Sequence, residues 1–277
     1  MSTPLTSAQT DLLTRTIERL GTAAFASTLL AFMRSIVDFD SSVLLAYPDD
    51  ATLMVLHDDL AEGDRAGFDG PYRQGLYMLS PLYLQSHAGK RGCFHISQIA
   101  PAGFTDSEFY QLYASRNDSI DQAAYLMESN QGTPIALSIE RTRAMKPFSA
   151  SDRKKLVALA PMVAALVTQQ PWGETGTQQA SMQPDMHRHL QRVLENFGGS
   201  VLTPRERQVV RLILRGYPSK SVARELDIST QTEQVHRKNI YHKLAISSHS
   251  ELFSLFFDSI ALPIADGDDP LQMLRAN

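Results

Sequence analysis

An α+β domain followed by a small all-helical domain is the fold this sequence predicts, and three observations predict it. Over residues 1–170 the apolar spacing switches between a helical period and a period of two, in the order helices, hairpin, helices, hairpin, helix. Residues 171–184 (PWGETGTQQASMQP) then almost lose their aliphatic side chains and read as an exposed linker. Residues 197–262 return to helical spacing alone, in four short segments. A chain of 277 residues with 43% hydrophobic content has the material for two cores.

The elements follow in order. Leu12, Leu13, Ile17 and Leu20 make one apolar helix face, and Gly21-Thr22 breaks it. Phe25, Leu29, Leu30, Phe32, Met33 and Ile36 make a second. SVLLAY (42–47) and TLMVLH (52–57) read as strands around a Pro48-Asp49-Asp50 turn. YRQGLYMLSPLYL (72–84) reads as helical, interrupted near Ser80-Pro81. Thr105 to Glu108 has the spacing of a capping box opening a helix through Tyr113. Residues 123–128 and 135–141 are two more strands around Gly132-Thr133-Pro134, and Ser149 to Asp152 opens a long helix reaching Val167. Pro184 to Phe197 is a short helix, and Gly198-Gly199-Ser200 reads as a hinge.

Charge is distributed unevenly. The net is −4, yet residues 201–260 hold nine Lys and Arg against six Asp and Glu. A basic segment inside an acidic chain is the charge pattern of a nucleic-acid module joined to an unrelated domain. No apolar run approaches the ~20 residues that span a bilayer, and the first residues lack the pattern of a signal peptide. A single cysteine, Cys93, leaves no intrachain disulfide and suits a reducing compartment, the cytoplasm. Enzyme and cofactor motifs are absent: no Gly-x-Ser-x-Gly, P-loop or dinucleotide fingerprint. Cys93-Phe94-His95 supplies too few ligands for a metal, and Asp266 to Asp269 lacks the rest of a calcium loop. Neither a catalytic site nor a cofactor is expected.

Residues 201–257 carry the strongest signal. Thr203-Pro204-Arg205-Glu206 is a capping box with proline at the first helical position. Val209, Val210, Leu212, Ile213 and Leu214 follow as a buried face, and Gly216 suits the left-handed position that ends the helix. Ser219 to Leu226 is a second short helix and Asp227-Ile228-Ser229 a tight turn. Residues 230–244 form a third, basic helix with Arg237, Lys238 and Lys243, and residues 248–258 an apolar fourth. Two short helices around a tight turn, the second basic and polar outside, are a helix-turn-helix. The second of these would enter the major groove, the groove that admits a helix and distinguishes all four base pairs.

The stretch from Leu202 to Leu252 resembles the LuxR-type helix-turn-helix of bacterial transcription regulators. The resemblance rests on Leu202 to Glu206, Gly216, Ala223, Leu226, Ile228-Ser229, Thr232, Val235-His236, Asn239-Ile240, Lys243-Leu244, Ser248 and Glu251-Leu252. It implies a transcription regulator that binds double-stranded DNA as a homodimer on two half-sites. It also implies base contacts through the second and sixth residues after Thr232, which are Gln234 and Lys238, with Val235 as an apolar base contact. Phosphate-side contacts are implied for Thr230, Thr232, Arg237 and Lys243, with Ser219 and Lys220 at the preceding helix start. His236 fits packing and contact equally. Glu233 departs from the family's Val and can pair with Arg237 four residues on. Ala245 replaces the family's Gly, at little cost if it stays outside the left-handed region.

The domain plan is therefore 1–170 as a ligand-sensing domain of PAS or GAF-like layout, 171–196 as linker and connecting helix, 197–262 as the DNA-binding domain and 263–277 as an acidic tail. A phosphoacceptor receiver would open on a strand and an acidic pair, and this chain opens on helices. Acyl-homoserine-lactone receptors of this family carry Trp-x-x-x-Tyr and then Asp-Pro; here Gly67, Pro71 and Ser80 stand in those places. A lactone ligand would lose its amide acceptor at Ser80. Tyr72, Tyr77, Ser80 and Tyr83 are the candidate walls of a pocket for a small molecule; packing between helix and sheet is the alternative. A catalytic N-terminal domain tethered to DNA is the rival reading, which a convergent titratable cluster would favour. Leu252, Phe253, Phe256 and Phe257 exceed what a four-helix module easily hides, so Phe253 or Phe256 is expected in a two-fold contact.

Overall fold

The computed structural model describes residues 4–49, 53–60, 65, 68–73, 75–107, 109–111, 118–172, 184–262, 265 and 267–276. Helices α1 (Ser7–Glu18) and α2 (Phe25–Arg34) precede strands β1 (Ser41–Ala46) and β2 (Met54–Asp58). An irregular turn over Phe68–Tyr72 and a single turn over Leu76–Leu79 lead to α3 (Pro81–His87) and β3 (Gly92–His95). Strands β4 (Ser119–Glu128) and β5 (Pro134–Thr142) and helix α4 (Ala150–Gln169) complete the N-terminal domain. The five strands form one antiparallel sheet in the order β2-β1-β5-β4-β3.

The sheet is covered on both faces, which its period of two makes visible. Leu44, Tyr125, Leu137 and Ile139 face α2 and α4 and pack with Phe32, Met33, Leu156 and Val163. Val43, Leu45, Ala124, Leu126 and Ala136 face the opposite layer, built from residues 68–109. The alternation on β5 is unequal. Ile135, Leu137 and Ile139 are aliphatic, whereas Ala136, Ser138 and Glu140 on the other face are small or polar. All six are buried.

Local chemistry sets the helix ends. Thr6 caps α1 and Ser149 caps α4, each in a reciprocal capping box. The 72–84 helix divides because Ser80 is extended (ψ 137°) and caps α3 with Pro81 at its first position. The helix expected from Thr105 starts later. Phe104–Asp106 is a single 3₁₀ turn, and the Ser107 hydroxyl accepts the Tyr110 amide. The end of that expected helix, at 112–113, lies outside the described residues, as does linker 173–183.

The C-terminal half holds α5 (Pro184–Asn196), α6 (Pro204–Leu214), α7 (Ser219–Glu225), α8 (Thr230–Leu244), α9 (His249–Ile260) and α10 (Pro270–Ala276). Two expectations need correction here. The acidic tail contains α10, whose Leu271 is buried, and Asp269 in front of it is buried as well. The Asp269 carboxylate accepts the Gly198 amide (3.0 Å), the Ser200 amide (2.8 Å) and the Ser200 hydroxyl. The 198–200 segment is thus a clamped turn rather than a hinge, because an acid 69 residues further on satisfies its amides. None of the described helices is long and apolar enough to cross a membrane.

Candidate nucleic-acid interface and sensor cavity

Helix α8 begins at Ser229, whose hydroxyl accepts the Thr232 amide (3.0 Å). Glu233, Ile240 and Leu244 turn inward, while Thr232, Gln234, Val235, Lys238 and Asn239 face solvent. Gln234 and Lys238 are one turn apart, and Val235 between them is 53% exposed. The three residues assigned to base reading therefore share one open face. Thr230 and His236 are half-buried at its edge, and Lys220 on α7 is exposed.

Three other phosphate-side residues hold charged or polar partners inside the module. Glu233 is 0% exposed, where its carboxylate takes two bonds from Arg237 (2.5 and 3.0 Å) and one from the Ser219 hydroxyl. Lys243 donates to both oxygens of buried Glu206 (3.0 and 2.7 Å). Burial alone would raise the Glu206 carboxyl. Lys243 together with the Thr203 amide and hydroxyl overcomes that and holds it below the ordinary carboxylate range. Arg237, Lys243 and Ser219 thus hold partners inside the module, which their spacing alone does not reveal.

Ala245 is corrected by its backbone. It stands at φ 57°, ψ 44° after α8, inside the left-handed region, a strain of about 1 kcal/mol for a side chain with Cβ. The two-fold contact at Phe253 and Phe256 is not offered. These rings are 1% and 3% exposed, and Phe256 packs edge-to-face on Phe197 (5.6 Å). The apolar surface of α9 is used within the chain, because α5 and α10 cover it.

In the N-terminal domain a small cavity lies on the β1-β5-β4 face, with a volume of about 20 Å³. Tyr72 and Ser80 line it, as expected; Tyr77 and Tyr83 do not. Burial pushes the Tyr72 hydroxyl up to about 12, against hydrogen bonds to Tyr47 and Ser80. Ser80 is already engaged, accepting the Leu82 amide (3.2 Å). Tyr77 instead stacks on Tyr47 and meets His187 Nδ1 of α5 through its hydroxyl (3.1 Å). Tyr83 opens onto a separate groove of about 260 Å³ shared with Gln191, Arg211 and Arg215. The spacing of the three tyrosines conceals that a helical turn and a capped break point them in two directions.

The rest of the cavity lining includes residues from outside the 72–84 segment. Phe104, Phe109 and Tyr110 close it from one side, and Gln122, Ser138 and Glu140 form its floor. The one available signal was the polar face of β5. Phe104 also touches the C-terminal module. Gly216, at φ 79°, lies so close that a Cβ there would stand 2.8 Å from the Phe104 ring. Beside it the Ser221 hydroxyl donates to the Ala102 carbonyl (2.7 Å). Glycine is required at 216 both to end α6 and to admit this ring.

The Cys93-His95 pair is structural. Burial pushes the Cys93 thiol up to about 11, and His95 caps a turn while pairing with Asp121 (2.6 Å). No cluster of three or more metal-ligating side chains occurs among the described residues.

Residues 200–256 match the family model "Bacterial regulatory proteins, luxR family". The response regulator TodT of Pseudomonas putida is 51% identical over 51 residues, 18% of this chain and 22% of that one. A longer likeness is to the "Putative HTH-type transcriptional regulator in exeN 3'region" of Aeromonas salmonicida, 28% identical over 185 residues, covering 65% of this chain and 93% of the relative. The N-terminal fold is similar to that of the VqsR LBD domain from Pseudomonas aeruginosa, with a TM-score of 0.51 at 24% identity over 59% of this chain and 96% of that one.

Proposed function

We infer, from a C-terminal segment that is a LuxR-family helix-turn-helix module, that the chain is a sequence-specific DNA-binding transcription regulator controlled by a small molecule in its N-terminal domain. The observation that carries this reading is the open face of α8. A valine exposed between Gln234 and Lys238 is unfavourable in water but useful against a thymine methyl. Gln234 suits adenine and Lys238 guanine in the same groove. Thr232 and Lys220 supply phosphate contacts with Thr230 at the helix start. Arg237 and Lys243 add less charge to the DNA side because Glu233 and Glu206 match them.

The regulator acts in the cytoplasm as a homodimer on two half-sites, through a surface other than Phe253 and Phe256. Control passes through Phe104, which lines the cavity on one side and seats Gly216 on the other. A ligand that moves this ring changes how the DNA module rests on the sensor.

The test is fluorescence anisotropy of the full chain on a duplex selected from a random pool and on a scrambled duplex. The selected duplex is expected to bind about 10³-fold tighter or better at physiological salt. Equal affinity for both across the salt range would overturn the reading.

A further inference from the structure

The groove beside Tyr83 gathers side chains from three parts of the chain. Met78, Tyr83 and Leu84 come from the N-terminal domain, Gln191, Leu194 and Glu195 from α5, and Arg211 and Arg215 from the first helix of the DNA module. Its volume of about 260 Å³ approaches the lower end of small-molecule sites, about 300 Å³. Arg207, Arg211 and Arg215 follow one another at every fourth residue of α6 and its cap, and like charges at that spacing repel. Elsewhere in the module Arg237 and Lys243 face carboxylates. Among the described residues no carboxylate forms an ion pair with these three arginines, exposed Glu195 included. Arg211 donates to the Glu195 main-chain carbonyl (2.6 Å). Arg215 Nε is buried and has no hydrogen-bond partner. Burial first, and with it the like charge of Arg211, push the Arg215 guanidinium below its ordinary value, against the influence of Tyr217.

We propose that this groove binds a small organic monocarboxylate, with its carboxylate on Arg211 and Arg215 and its apolar body along Met78, Leu84 and Leu194. The site is separate from the cavity on the sheet and goes beyond the function proposed above. A guanidinium fork makes parallel, charge-assisted bonds to a carboxylate, and an acceptor is what Arg215 Nε lacks. Two guanidiniums and the Glu195 carboxylate leave a single positive charge along the groove. That balance fits a monoanion better than a phosphate carrying close to two charges. A cation would meet two like charges. Met78 is buried and Leu84 and Leu194 are half-buried, so an apolar body laid along them leaves water with little rearrangement. The occupant touches both the N-terminal domain and α6, so it favours the arrangement in which the DNA module is docked.

The experiment is isothermal titration of the full chain at neutral pH with hexanoate and 3-phenylpropionate, each compared with the amide and the amine of the same skeleton. A carboxylate is expected to bind at least about tenfold tighter than its amide and its amine, a difference of roughly 1.4 kcal/mol. Gln191→Glu, at an exposed position of α5, brings a second carboxylate to the groove. It is expected to weaken the carboxylates at least about tenfold without weakening the amides. Arg215→Gln is expected to remove the preference for the carboxylate. An amide or amine that binds as tightly as its carboxylate overturns the proposal. So does a carboxylate affinity that Gln191→Glu leaves unchanged, a preference that survives Arg215→Gln, or binding of neither carboxylate at millimolar concentration. Gln191→Glu locates the site even if Arg215→Gln fails to fold. The reading of the chain as a DNA-binding regulator is decided separately, by the duplex titration.

Discussion

The two halves of the chain both bury glutamates, and they use them differently. In the DNA module Glu233 and Glu206 face Arg237 and Lys243 of α8, and the pairs fix helix against helix. In the N-terminal domain Glu140 accepts from Gln122 and Ser138, among its partners, and lines a cavity beside aromatic rings. One kind of setting joins helix to helix, and the other joins neighbouring strands of a sheet. Burial alone does not separate the two; the neighbours do.

The largest test of this contrast removes a cation from the module. Arg237→Ala leaves Glu233 buried beside a single hydroxyl and is expected to lower stability by about 3 kcal/mol or more, read as a shift in the urea midpoint of the full chain. Glu233→Val removes the buried charge and lets Arg237 reach water, so its effect is expected to stay within about 1 kcal/mol. Equal losses for both variants would mean that the ion pair does not organise α8.

Next come the residues that the module keeps outside. Gln234→Ala and Lys238→Ala are each expected to weaken binding to the selected duplex by about 1–3 kcal/mol and to leave the urea midpoint unchanged. The same substitutions on the scrambled duplex separate base reading from general attraction: Gln234→Ala should have no effect there. A change in stability instead of specificity would place Gln234 with Glu233.

A smaller gain is expected at the end of α8. Ala245→Gly relieves the left-handed strain and should raise stability by about 0.5–1 kcal/mol, part of the relief being offset by a freer unfolded chain. A loss on thermal unfolding would show that the methyl group packs more than it strains.

The smallest effect is expected in acid. The Glu206 carboxyl is depressed in the folded state, so its stabilisation is complete above the ordinary carboxylate value. It fades as pH falls through the lower folded value. The stability difference between the wild type and Glu206→Gln should therefore be constant from pH 7 to 5 and shrink below about 4. A difference that persists at pH 3 would mean that the Lys243 pair does not set the titration.

The module was legible because its information is local. Thr203 and Glu206 cap one turn, Gln234 and Lys238 lie one turn apart, and fixed spacing is what a sequence displays. What escaped there was tertiary. The cover over Phe253 and Phe256 comes from α5 and α10, and the clamp on Ser200 comes from Asp269. In the N-terminal domain, helices and strands were legible by period, and strand order was not. The cavity was legible only at Tyr72 and Ser80. Its floor joins Gln122 to Glu140 through sheet register, and its wall comes from a 3₁₀ turn that the Thr105 spacing disguised as a helix start. Tyr77 and Tyr83 lie toward α5 because the chain breaks at Ser80, and the Ser80-Pro81 break does not itself display the direction of what flanks it.

Phe104 binds together two kinds of inheritance. Widening the cavity for a bulkier ligand most directly means shortening that ring, and a shorter ring leaves Gly216 without its seat. Replacing Gly216 meets the same ring from the other side. Under the proposed function, a change of this ring alters the cavity and the seat of Gly216 together. On that reading Phe109 and Tyr110, which line the cavity and are not among the atoms nearest Gly216, are the positions freer to vary, and Phe104 varies in company with the 216–221 loop.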